Sequence, residues 1–295
     1  MTPAPTTALP IPLPIPLPIP LIDHVIVNAR DGLDATAALW TRLGFHLTPR
    51  GHHTLGSSNN LAILGTDYIE LLGVPPNQTP ARTDVMDWPA GLNGLVYKTL
   101  DSDALHAALT QSGTQVLPPQ AFSRPVDLGH GRTSEAAFRT VRLPADSVPA
   151  GRMFFCHHLT PELVWHDPWR RHPNGAMGLA GMVIAAQDPQ VLATLFAQLF
   201  GADALRTGPD CTALPAGLAT IEVVTPETLL TRYGPAAPPM HGRTQAMAAL
   251  RVRTASLTRA GQALQAGGIP AHPGPTQDLV VAASDAGGLT LVFTE

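Results

Sequence analysis

The feature that most constrains this chain is a pattern met four times along it: a strand, a helix, then short strands. In the first copy, residues 21–29 are β-rich, and from 31 to 43 the spacing turns helical, with Leu33, Ala37, Leu39, Trp40 and Leu43 apolar. Asp31 is the expected N-cap of that helix and Gly44 its stop. Strands are expected at 45–48, 61–64 and 68–72, which completes a β-α-β-β-β order. The second copy has a strand at 94–100 and a helix at 101–111 ending at Gly113, with strands near 115–116, 136–143 and 153–159. The third opens at 181–186, places Pro189 just inside a helix that ends at Gly201, and continues through 204–205 to 220–224. The fourth opens at 246–252, has a helix at 256–266 closed by Gly267-Gly268, and ends in strands at 279–283 and 289–293. The copies share little local sequence. What repeats is the order of elements and the helix-to-strand turn, as at Leu43-Gly44-Phe45 and Leu199-Phe200-Gly201.

A chain of 295 residues suits two domains of about 150. Net charge is −4 without runs of like charge, and no basic stripe of the kind that tracks a phosphate backbone is visible, so nucleic acid is not an expected partner. Two cysteines, Cys156 and Cys211, cannot build a disulfide framework and read as buried thiols in a reducing compartment. A basic leader with a small-residue cleavage site is absent from the start, and no run of about 18 apolar residues is free of proline, so the expected home is the cytoplasm and no membrane is expected. Residues 1–20 form a Pro-rich arm in which proline occupies every second position from 10 to 20, predicting polyproline II rather than helix or central strand. There is no Gly-x-Ser-x-Gly elbow, no Walker loop and no Cys-x-x-Cys pair, so no nucleotide cofactor is expected.

Asp23-His24-Val25, the Leu43-Gly44-Phe45 turn and Tyr68-Ile69-Glu70-Leu71-Leu72 resemble the vicinal oxygen chelate superfamily, which includes glyoxalase I, extradiol dioxygenases and antibiotic-resistance proteins. The stretch Phe155-Cys156-His157-His158-Leu159-Thr160-Pro161-Glu162-Leu163-Val164-Trp165, followed by His172-Pro173-Asn174-Gly175, looks like a glyoxalase-like branch of it. The resemblance covers about residues 21 to 295. It implies an α+β fold of four βαβββ modules paired into two half-open β-barrel domains, 21–165 and 178–295, joined by a linker at 166–177. Each barrel is then complete within one chain, as a monomer or a homodimer.

By the same resemblance, metal ligands come from the first and last strands of the paired modules. Module one keeps both, His24 and Glu70, with Glu70 also the expected catalytic group. Module two has Leu95 at the first-strand position, which cannot ligate, and offers His157 or His158 on its last strand. These two point to opposite faces because strand side chains alternate, and the sequence does not choose between them. His24, Glu70 and one such histidine would hold a divalent metal (Fe, Mn, Ni or Zn) acting as a Lewis acid on substrate oxygens. In the second barrel Glu222 matches Glu70, but Met182, Ala248 and Leu291 stand at the other ligand positions, so that half is expected to be structural.

The polar loop 51–60 follows the second strand, and its His53 and Asn59 are expected to bind substrate. Arg132 and Arg139 fall near strands of module two, and Arg139 is the expected partner of an anionic substrate group. Trp165, Trp169 and His172 are expected to seal the junction between barrels. The function these readings imply is a divalent-metal-dependent lyase, isomerase or oxygenase-type enzyme, with a small organic molecule bound in the first barrel. The alternative is a metal-free small-molecule-binding protein of the resistance type.

Overall fold

The computed structural model describes residues 18–75, 82–127, 132–274 and 276–295; the expected Pro-rich arm lies almost wholly outside them. Module one is β1 (Ile22–Arg30), α1 (Leu33–Arg42), β2 (Gly51–His52), β3 (Ser58–Ile63) and β4 (Tyr68–Gly73). A short helix, α2 (Thr83–Met86), leads to module two: β5 (Gly91–Lys98), α3 (Ser102–Gln111), β6 (Gln120–Asp127), β7 (Thr133–Arg142) and β8 (Arg152–His158). Module three is β9 (Ala176–Ala186), α4 (Pro189–Phe200), β10 (Arg206–Thr207), β11 (Cys211–Ala216) and β12 (Ala219–Val224). A longer helix, α5 (Pro226–Tyr233), leads to β13 (Gln245–Thr254), α6 (Leu257–Ala266), β14 (His272–Pro273), β15 (Leu279–Val281) and β16 (Thr290–Thr294). The βαβββ order thus holds in all four modules, and the fold is α+β.

Local chemistry explains most of the boundaries. Asp101, Asp188 and Ser256 cap α3, α4 and α6 by accepting bonds from backbone N–H groups of the first turn. Asp31 does not cap α1, because the helix begins one residue later than expected and Gly32 takes the N-cap without a side-chain bond. Residues 45–48 form no ladder, and the first strand after α3 starts at Gln120 rather than near 115–116. Pro118-Pro119 intervenes there, and prolines cannot donate to a ladder.

The two sheets share one strand order, β2-β3-β4-β1-β5-β8-β7-β6 and β10-β11-β12-β9-β13-β16-β15-β14. The first curls until its edges meet: Thr54 N donates to Ser123 O (3.0 Å), and Ser123 N donates to Thr54 Oγ1 (3.2 Å). Alternation sends Val25, Val27, Leu95 and Phe155 to the helix side, where they join Met182 and Leu250 of the other sheet in one core. The opposite face, with Ile26, Leu61, Val96 and Phe138, lines the concavity. In the second sheet the equivalent face, with Val183, Val224 and Ala248, is covered by Leu229 and Tyr233 of α5. The helices α2 and α5 hold equivalent places in the two halves. The longer one fills its concavity and the shorter one leaves its own open.

At the junction, His172 Nδ1 accepts from His46 N (3.0 Å) and Nε2 donates to Ile63 O (2.8 Å). Arg42 of α1 donates through Nε to Gly267 O after α6 (2.8 Å). Trp165 and Trp169 are not part of this seal. They pack on the concave core of the first half, where the Trp165 ring lies 4.8 Å from His158.

Candidate functional site

The open concavity of the first half encloses a cavity of about 210 Å³. Its walls are Ile26, Leu61, Phe122, Phe138 and Phe154, so a ligand's body meets mainly apolar surface. Four polar side chains form its floor: His24, His53, Asn59 and Glu70.

A bulge in β1 arranges that floor. Ile22 lies opposite Tyr97 and His24 opposite Val96, so Asp23 is the extra residue and its carboxylate reaches its neighbour's ring. Asp23 Oδ1 accepts from His24 Nδ1 (2.7 Å) and from His158 Nε2 (2.9 Å), while Oδ2 meets Lys98 Nζ at 3.2 Å. Burial alone would raise the pKa of this carboxyl, but charge and hydrogen bonds from His158 and His24 hold it well below the usual range. With Nδ1 engaged, the His24 ring stacks on Tyr68 (4.4 Å) and presents Nε2 to Glu70 Oε2 at 3.7 Å.

Glu70 Oε1 accepts from Asn59 Nδ2 at 2.7 Å and lies 3.8 Å from His53 Nε2. Burial pushes its pKa up, but His53, His24 and the Asn59 bond outweigh it, so the carboxyl is ionised. Burial lowers His53 to about 4 against the pull of Glu70, which leaves a neutral ring. That state suits its bonds: Nε2 accepts from Asn59 Nδ2 (3.1 Å) and Nδ1 donates to Ser57 Oγ (2.9 Å). Asn59 Oδ1 is buried without a partner. Gly51 gives them room: a Cβ added there would overlap Asn59 Oδ1 and come within 3.1 Å of Arg124 Cδ, so both side chains would have to shift.

Four arginines also line the cavity: Arg82, Arg124, Arg142 and Arg152. Arg82 forks onto Asp84 through two 2.7 Å bonds. Arg152 lies 3.5 Å from the same carboxylate and donates to Asn93 Oδ1 (3.3 Å), yet its Nη2 is buried without a partner. Arg142 Nε is orphaned in the same way. Arg124 is only 5% exposed and makes no hydrogen bond or ion pair with any described residue; Tyr68 and Glu70 are the groups whose charge it feels.

Of the residues expected from the sequence, His24, Glu70, His53 and Asn59 come together at the cavity floor. His158 and Cys156 lie on the concave face of β8, but His158 sits beyond the cavity and is bound to Asp23. His157 is next to it on the other face, and pairs across the ladder with Arg139. Arg139 shares its face of β7 with Val141 of the helix-side core and forks onto Asp103 of α3 at 2.6 and 2.7 Å, away from the cavity. Leu95 also faces the helices, and the residue opposite His24 is Val96. In the second half Glu222 is paired with Arg232 (3.1 Å). The cavity arginines are missed by sequence reasoning. The alternation Phe122-x-Arg124 carries their signal, but it falls in a strand placed several residues too early.

The donor set does not fit the metal centre that the resemblance implies. His24 Nε2 and Glu70 Oε2 supply two donors, while His158 is committed to Asp23. The facing positions of module two carry Gly94, Val96, Arg152 and Phe154, so a buried cation stands where a third ligand would be needed. Asp23, Cys156 and His158 do form a group of potential ligands, with donor atoms within 4.8 Å of one another. Its carboxylate, however, already serves both histidines and Lys98.

A family model described as a glyoxalase-like domain matches residues 22–200. No curated protein matches the chain. A hypothetical protein from Staphylococcus aureus shares the fold at 14% identity, over 92% of this chain and 98% of its own, with a TM-score of 0.64. A triple mutant of 4-hydroxymandelate synthase from Streptomyces coelicolor does so at 11% identity, over 94% and 92%, with a TM-score of 0.57. A xylose isomerase-like TIM barrel/4-hydroxyphenylpyruvate dioxygenase fusion protein matches at 14% identity, over 89% of this chain and 41% of its own (TM-score 0.54). Among the described residues no helix is long and apolar enough to cross a membrane.

Proposed function

The chain belongs to the glyoxalase-like domain family, and from that premise we propose that its first half binds a small organic acid and exchanges a proton with it at Glu70. One observation carries this reading: Arg152 and the half-buried Arg142, each with a buried nitrogen that has no partner, share a mainly apolar cavity with an ionised carboxylate. Unpaired buried cations are costly unless a ligand completes them. A carboxylate is the complement that matches a guanidinium fork.

Glu70 Oε1 is held by Asn59, which leaves Oε2 for chemistry. The proton passes from the carbon beside the substrate carboxylate to Oε2, and the electron pair moves onto that carboxylate, where Arg124 stabilises it. Return of the proton to a different carbon is isomerisation; loss of a neighbouring leaving group is lyase chemistry. His24 Nε2, 3.7 Å from Oε2, is placed to relay the proton. Tyr68 stacking and the Asp23 bond fix that ring.

The test combines calorimetry against small mono- and dicarboxylic acids, exchange of substrate hydrogen in heavy water, and metal content of the purified protein. Wild type and Glu70→Gln are expected to bind alike, while exchange falls on the order of 10²–10⁴-fold in the variant. Binding without exchange in either protein would leave a sequestering protein. Near-stoichiometric metal that disappears in both His24→Ala and Glu70→Ala would overturn the metal-free chemistry.

A further inference from the structure

The cationic groups in the first cavity are too many and too far apart for a single carboxylate. Four arginines line it against two carboxylates, Glu70 and Asp84. Asp84 is taken by Arg82 and approached by Arg152. Glu70 is held by Asn59 beside His24 and His53. The segments outside the described residues (1–17, 76–81, 128–131 and 275) contain no aspartate or glutamate, so none of them supplies a further carboxylate. Two positive charges are therefore left over inside a mainly apolar cavity.

Those charges sit at two ends. Arg124 lies opposite Ala136 in the β6–β7 ladder, six positions from Arg142 on β7. At about 3.3 Å per residue their backbones are ~20 Å apart along the strand. Arg142 pairs across the ladder with Phe154, two residues from Arg152, so these two arginines and the Arg82–Asp84 pair form one end. Arg124, beside Gly51, forms the other, and Glu70 is felt from both ends, by Arg124 and by Arg152. Between the ends the wall carries Phe122 and Phe138, stacked with centroids 5.1 Å apart. The enclosed volume of about 210 Å³ compares with roughly 150 Å³ for a cavity that admits benzene.

We infer that the ligand of the first half is a dianion, a dicarboxylate whose two charged groups are separated by a short apolar or aromatic spacer. This rests on the organic-acid reading above and narrows it. The carboxylate on Arg124 is the one next to the reacting carbon; Glu70 feels the charge of Arg152 as well as facing Arg124, so that carbon lies between the two ends. The second carboxylate, on Arg142 and Arg152, sets specificity and position.

The experiment is calorimetry at fixed ionic strength with matched pairs: benzoate against benzene-1,4-dicarboxylate, and hexanoate against adipate. At least one dicarboxylate is expected to bind ten-fold or more tightly than its monocarboxylate partner. In Arg142→Gln that advantage is expected to vanish while monocarboxylate binding persists; in Arg124→Gln both acids should weaken. Equal affinities within every pair, or an advantage that survives both substitutions, would overturn the dianion inference. If monocarboxylates still bind and exchange hydrogen, the organic-acid reading stands without it; if no acid of either kind binds, both fall. Thermal unfolding of each variant guards against misfolding, with the Arg→Lys versions measured where glutamine is not tolerated. A further readout needs no ligand: Arg124→Met should unfold at a higher temperature than wild type, because a partnerless buried cation is removed.

Discussion

Asp23 shows how one extra residue in a strand reorganises a site. In a regular strand its side chain would face the helices, away from His24. The bulge brings it to His24, His158 and Lys98, and fixes which nitrogen His24 presents to Glu70. Substitution by asparagine keeps the shape but removes the charge that three donors share. Asp23→Asn is expected to cost about 3 kcal/mol at neutral pH, as for other broken buried pairs. The sign with pH follows from its depressed folded-state pKa. Its contribution is full above the unfolded value of 3.8, begins to fall below it and disappears only as pH passes the much lower folded-state value, so the gap between wild type and variant should narrow at pH 3 without closing. Urea unfolding at pH 7 and pH 3 measures both, and an equal loss at the two pH values would refute the ionic account. His24 and Glu70 are legible through the resemblance of their strands to the superfamily's ligand-bearing strands, and His53 and Asn59 through the polar loop that carries them. Asp23 is not, since no residue in 21–29 announces a bulge.

Among elements, the two inter-module helices decide which half can hold a ligand. Asn28 Nδ2 ties the α2 region to β1 by donating to Val85 O (2.9 Å) and Pro89 O (3.1 Å), leaving Arg82 and Asp84 at the cavity. Helix α5 starts with Thr225 as N-cap and Pro226 in its first turn, and buries Leu229 against Val183 and Ala248. Leu229→Ala should therefore open a void in the second half at a cost of about 2–5 kcal/mol. Acid binding in the first half should stay unchanged; calorimetry and unfolding of the same sample separate the two effects, and weakened binding would contradict the plug. The modules themselves could be read from helix stops such as Gly44, whose φ of +83° favours glycine. The site arginines could not. Gln115-Val116 reads as a strand, but Pro118-Pro119 pushes β6 on to Gln120, and Arg124 goes with it.

Across the whole molecule the halves share one core, with Phe45 stacked on Phe293 at 6.0 Å and Tyr97 meeting Phe200 edge to face at 4.8 Å. An added Cβ at Gly267 would overlap the Arg42 carbonyl, so α1 and α6 meet backbone to backbone. Asp67, between β3 and β4, ties the sheets by accepting from Leu179 N of β9 (3.1 Å). Burial lifts this carboxyl from 3.8 to about 6, against the Leu179 bond and the nearby Lys98 and Arg253. A raised folded-state value favours the fold below 3.8, and that contribution is lost as pH rises through 6. His53 acts in the opposite sense: with its ring lowered from 6.5 to about 4, stability rises with pH across that window. In wild type the two slopes largely offset. Asp67→Asn keeps an oxygen for Leu179 N–H and removes one slope, so it should gain about 3 kcal/mol at pH 7 and almost nothing near pH 3.5. Urea midpoints measured from pH 3.5 to 7 should then climb steadily through the His53 window. A flat profile in the variant would mean that His53 is not held neutral by burial, and that the floor of the cavity is wetter than its geometry implies.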